Sequence, residues 1–223
     1  MVDTVGQGAN LCLVRPASAE AHPKELSMPE AQPVPNDAAA QILRSTYLYI
    51  PFNEAEGNTQ LFGMAKTWQA NMAKDARWPN PPPILRHGNG SRLIADLQPD
   101  ETLFILCHSS NFAEFVAAQP DLHTVLMSAN ELSRRLIEDG LSTRKRHLIL
   151  VTCDDRIGNT EEFAQSLFTE LRFMGHTCAV YFYFGVSVSL PVIATGSTEA
   201  HKYGMNMFGN FSRADRHLWR IDG

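Results

Sequence analysis

The stretch LFILCHSSNF (103–112) sets five apolar residues before a histidine and two serines. Further on, HLILVTCDDR (147–156) repeats the form and ends its apolar run at a cysteine forty-five positions beyond that histidine. Unbroken apolar runs of this kind suit strands buried on both faces, as in a parallel sheet covered by helices. If the two strands are parallel neighbours, they lie about 4.8 Å apart and deliver His108 and Cys153 to one edge. The loops at the carboxyl ends of such strands are where α/β proteins build their sites.

The flanking segments support this reading. SANELSRRLIEDG (128–140) predicts a helix, with Ser128 and Glu131 as a capping box and Gly140 as its stop. NTEEFAQSLFTELRFMG (159–175) predicts another, capped by Asn159 and Glu162, with Phe163, Leu167 and Leu171 facing inward. NTQLFGMAKTWQANMAKDAR (58–77) places Leu61, Met64, Ala65, Trp68 and Met72 on one stripe, and the prolines of RWPNPPP end it. STYLYI (45–50), SRLIADL (91–97) and CAVYFYF (178–184) are expected strands. HGNGS (87–91) is expected to be a turn, because it does not follow a strand and open a helix. The fold class is therefore α/β, a mainly parallel sheet flanked by helices. Residues 41–223 form this domain. Residues 1–40, with five prolines among Ala, Glu, Gln and Ser, are expected to be a mobile tail.

Composition narrows the function. The chain has 223 residues, 44% of them hydrophobic and 19% charged, and a net charge of -5. It offers no basic field for nucleic acid. No run approaches the roughly 18 apolar residues of a membrane span, and the first residues do not have the form of a cleaved secretory signal. The expected location is the cytoplasm, or outside the cell by a route without a cleavable signal. Cys12, Cys107, Cys153 and Cys178 lack zinc-type spacing and read as reduced thiols. His87, His108, His123 and His201 share no ligand spacing, so no metal is expected. No G-x-S-x-G elbow marks a serine nucleophile.

A cysteine attacks as its thiolate, and a nearby imidazole can take the thiol proton and later return it to the leaving group. Strand, His108, helix, strand, Cys153 is an order that resembles the caspase-like cysteine peptidases, most closely the self-cleaving protease domains of bacterial toxins. The resemblance spans about residues 45–185 and includes ANELSRRLIEDGL before the cysteine strand. It implies a caspase-like three-layer sandwich and a cysteine endopeptidase acting on peptide or protein substrates, in the setting of a bacterial effector or toxin. His108 would be the general base or imidazolium partner and Cys153 the nucleophile. Backbone N–H groups of Ser109 and Cys153 would form the oxyanion hole. Asp154 and Asp155 are expected to point away from the thiol or to bind a basic group of the substrate.

Lys202, Arg213, Arg216 and Arg220 invite comparison with toxin proteases switched on by an inositol phosphate, although they read first as solvated side chains. No other cofactor is expected. Two rival readings stand beside the peptidase: a noncatalytic interaction module of the same fold, and a Cys–His deamidase or acyltransferase.

Overall fold

The computed structural model describes residues 29–36, 46–75, 77–78, 80–90, 92–98, 101–121, 123–144, 146–152 and 159–223. Its centre is the pair predicted from the apolar runs. Thr102–Ser109 (β4) and Arg146–Thr152 (β7) are parallel neighbours, in register from Thr102↔His147 to Cys107↔Thr152. Thr46–Ile50 (β2) lies parallel on the other side of β4, and Ile84–Arg86 (β3) lies parallel beyond it. Cys178–Tyr183 (β8) continues the parallel run beside β7. Leu218–Ile221 (β14) then pairs antiparallel with β8, and Gln32–Pro33 (β1) pairs antiparallel with β14 at the rim. Beyond its parallel stretch, β4 also pairs antiparallel with Phe115–Ala117 (β5), which pairs with Leu126–Ser128 (β6).

Three helices cover the sheet among the described residues: Thr59–Met72 (α1), Ala129–Glu138 (α2) and Asn159–Phe173 (α3). Alternation along the strands fixes their sides. Phe104 meets Trp68 of α1 edge to face, ring centroids 4.9 Å apart. Tyr49, one residue beyond the β2 partner of Phe104, points the other way and reaches Asp139 at the end of α2. Thr152 bonds Thr160 in the first turn of α3. One helix thus packs on one face, and α2 and α3 on the other. Leu61, Ala65, Trp68 and Met72 are the buried stripe of α1, and Leu132 and Leu136 that of α2.

Several local expectations are corrected. Residues 92–97 are not a strand. Arg92 has φ 57 and the chain turns through 93–96, burying Ile94 and Leu97 three positions apart. This turn rests on Gly140, at φ +100, where a Cβ would meet the Ala95 Cβ at 2.9 Å, so the glycine serves close approach as well as helix termination. The strand of this region is β3, directly after three prolines, and Leu48 N–H donates to the Pro83 carbonyl just before it. Helix α1 stops at Met72, before the prolines, and in the turn that follows Asp75 N–H donates to the Met72 carbonyl while the Asp75 carboxylate accepts from Arg77 N–H. Ser128 accepts from Glu131 N–H as expected, but the Glu131 carboxylate takes Arg135 in place of closing a capping box. Asn159 is already helical. Within the expected tail, Gln32–Pro33 form β1 and Ala31 is buried, while residues 1–28 and 37–45 lie outside the described residues.

Candidate active site

The site begins with His108, next to last in β4. It is 3% exposed, and among the described residues neither Nδ1 nor Nε2 has a hydrogen-bond partner. Burial pushes its pKa below the ordinary histidine value. The imidazole is therefore neutral at pH 7 and offers one nitrogen lone pair as a base. Leaving a buried polar atom unsatisfied costs about 1–3 kcal/mol. A buried imidazole with both nitrogens unsatisfied calls for an explanation, and a catalytic role or a bound polar group are among those it admits. Ser109 follows as the last, half-buried residue of β4.

Cys153, Asp154 and Asp155 lie outside the described residues. On either side of them, the described chain is fixed. Thr152 ends β7, and its hydroxyl lies 2.9 Å from that of Thr160. Asn159 Nδ2 donates to the Ser110 carbonyl at 3.3 Å. The first turn of α3 is thereby fastened both to the end of β7 and to the segment after His108. No family model and no curated protein matches this chain.

The competing thiols sit in the core. Cys107 and Cys178 are both buried. Burial drives the Cys178 thiol up to about 12, with Arg146 pulling weakly the other way. That thiol is protonated at neutral pH and is a poor nucleophile.

The four cations near the C-terminus do not act as one solvated set. Lys202 is the clear correction. Its stem is partly exposed, but its ammonium is enclosed, 3.7 Å from the Trp68 ring centroid, 4.3 Å from that of Phe104 and 5.0 Å from that of Tyr183. It donates to the Tyr183 hydroxyl at 3.3 Å. Burial pushes its pKa well below the ordinary lysine value, while the ring faces favour the charged form. Arg213 is paired with Asp215, and Arg220 with Asp222. Arg216 is exposed. Lys202→Met is expected to cost less than about 1 kcal/mol, because an unbranched thioether can lie against the same rings without a charge to desolvate. Lys202→Ala should cost about 2–3 kcal/mol by leaving a cavity. Calorimetric unfolding of the two variants checks this; equal damage would show that the charge itself holds the segment.

A second polar cluster had no signal in the sequence. Asp139, buried at the C-terminal end of α2, accepts from the Tyr49 hydroxyl at 2.6 Å and lies 3.0 Å from His87 Nδ1. Burial first, then the hydrogen bond to Asp139, raises the Tyr49 pKa far above its usual value, so the phenol stays a donor. The three residues come from separate elements, 52 and 90 positions from Asp139, and only the fold joins them. Among the described residues, no group of three His, Cys, Asp or Glu side chains could hold a metal ion. No helix among them is long and apolar enough to cross a membrane.

Proposed function

We propose that the chain is a cysteine endopeptidase of caspase-like fold, with His108 as general base and Cys153 as nucleophile. The observation that carries this reading is the buried imidazole of His108, without a hydrogen-bond partner among the described residues, at the end of a strand in register with β7. Thr152 is the in-register partner of Cys107. His108 and Cys153 are the residues that follow this in-register pair in the sequence. If β7 runs on by one residue, alternation brings the sulfur to the same face as the imidazole. The order of a strand carrying His, a helix, and an adjacent parallel strand leading to Cys agrees with the caspase-like plan.

In this reading His108 removes the Sγ proton and the thiolate attacks the scissile carbonyl carbon. The oxyanion is held by the backbone N–H groups of Ser109 and Cys153. The imidazolium then protonates the departing amine, and water drawn up by the same imidazole releases the acyl group from sulfur. Asp154 and Asp155 are the carboxylates available to a basic substrate group. A role as a bacterial effector or toxin fragment belongs to the same proposal and rests on the proline-rich first forty residues.

The direct test is labelling by a thiol-directed peptide electrophile at neutral pH. Cys153 should react in preference to Cys107 and Cys178, and His108→Ala should suppress the reaction. Absence of Cys153 labelling would leave a noncatalytic module. Product mass separates peptide cleavage from a deamidase, which adds about one dalton at a Gln side chain without breaking the backbone.

A further inference from the structure

The C-terminal third pairs Val192–Ile193 (β10) antiparallel with Ala200–His201 (β11) and forms a small antiparallel sheet of Val186–Val188 (β9), Tyr203–Asn206 (β12) and Phe211–Arg213 (β13). The β12–β13 hairpin carries three large apolar side chains outward: Met207 is 69% exposed, Phe208 79% and Phe211 73%. No residue from Tyr203 to Ser212 is charged. Within one short turn this is the densest exposure of apolar side chains among the described residues.

The turn is built to hold that display. Asn206 is its hub. The Asn206 side-chain oxygen accepts from Phe208 N–H and Asn210 N–H, each at 3.0 Å. The Asn206 backbone carbonyl accepts from Gly209 N–H at 3.0 Å, and Asn206 N–H donates to the Asn210 carbonyl at 3.1 Å. Gly209 takes φ +78, which a side chain would strain. Every backbone donor from Phe208 to Asn210 is therefore turned inward onto Asn206, and the apolar side chains face out. Backbone donors that are already bonded lower the cost of approaching a medium that cannot hydrogen-bond.

We infer that this hairpin tip is a membrane-contact wedge that inserts Met207, Phe208 and Phe211 into the interface of a zwitterionic phospholipid bilayer. Area favours lipid over a protein partner. Three such side chains at this exposure present roughly 400–500 Å², against about 800 Å² per partner in a stable protein interface. A bilayer interface needs no complementary pocket and accepts amphipathic and aromatic side chains at its boundary. Charge favours a zwitterionic over an anionic surface. The tip is uncharged, and the cations flanking it in sequence are engaged, Lys202 inside its cage of rings and Arg213 with Asp215. The chain as a whole is at -5. The inference does not depend on the peptidase reading.

The test is flotation of the full chain with phosphatidylcholine vesicles, with sedimentation of the free chain alongside. Wild type is expected to float with the vesicles. Phe208→Ser should weaken partitioning about tenfold, and the triple change Met207→Ser, Phe208→Ser, Phe211→Ser should abolish it. Phe173→Ser, at a side chain 89% exposed on the end of α3, should change nothing. All replaced side chains are exposed, so unfolding midpoints should match wild type. The inference fails if wild type stays in the lipid-free fraction, if Phe173→Ser weakens binding as much as Phe208→Ser, or if the free chain self-associates in a manner the triple variant removes.

Discussion

Cys153→Ala is expected to lower cleavage of a peptide or protein target by at least about a thousandfold. Removing the nucleophile of a dyad ends covalent catalysis, and what remains comes from binding alone. His108→Ala should fall to a similar level and not add to the first, because the two groups of the proposed dyad would act as one unit. The pH profile gives an independent check. Burial holds the His108 pKa below the ordinary histidine value, so if His108 is the base the acid limb of kcat/KM should fall below the ordinary histidine range. Stability follows the same sign. Between the folded pKa and about 6.5 the unfolded chain binds a proton at this residue that the folded chain does not, so stability falls as pH falls through that window. The limiting slope is about 1.4 kcal/mol per pH unit, and His108→Ala should remove this component. Undiminished cleavage by Cys153→Ala would end the peptidase reading.

Asp75→Ala should produce the largest loss of stability among polar substitutions, about 3 kcal/mol in denaturant unfolding. The carboxylate is sealed beneath Arg77 and the 199–201 segment. It accepts from Arg77 N–H at 3.0 Å, from the Arg77 guanidinium at 2.6–3.2 Å, and from Ala200 N–H at 2.7 Å. These bonds, the guanidinium first, pull its pKa far below the usual carboxylate range. Breaking a buried pair from one side costs about 3–5 kcal/mol. The lower end applies because Arg77 is half-exposed and can regain water, whereas the buried Ala200 N–H cannot. The pKa is depressed in the folded state, so the contribution is complete above about pH 4 and is lost as pH falls below it. The gap between wild type and Asp75→Ala should narrow accordingly at low pH. A loss under about 1 kcal/mol at pH 7 would show that the cluster does not join α1 to the C-terminal third.

What could be read from the sequence was what local pattern determines. The runs at 103–107, 147–152 and 178–183 are too apolar for anything but buried strands, and Leu132 with Leu136, or Phe163 with Leu167 and Leu171, fix their helices by spacing. Residues 91–97 misled because a turn that buries Ile94 and Leu97 places apolar residues where an alternating strand also would. Ile84–Arg86 was hidden by the prolines before it, which are tolerated because β3 ends the parallel side of the sheet. Placing His108 on the edge needed only the strand end. Its lack of hydrogen-bond partners among the described residues needed the fold. Asp75 meeting Ala200 across 125 positions, Lys202 among Trp68, Phe104 and Tyr183, and Asp139 between Tyr49 and His87 are long-range contacts of polar groups. No period or spacing announces them.

Pro33 at the outer rim bears on how the protein can be handled. Gln32–Pro33 pair with Arg220 and Trp219, and Val34 N–H donates to the Leu218 carbonyl, so this short piece screens β14. Proline has no amide hydrogen to offer a further strand, and it ends the sheet without a sticky border. A shortened recombinant version starting beyond position 36 would bare β14, with amides and carbonyls pointing outward and aromatic Trp219 among them. Precipitation or strand exchange between molecules is then the expected behaviour, so the cut belongs before Ala31.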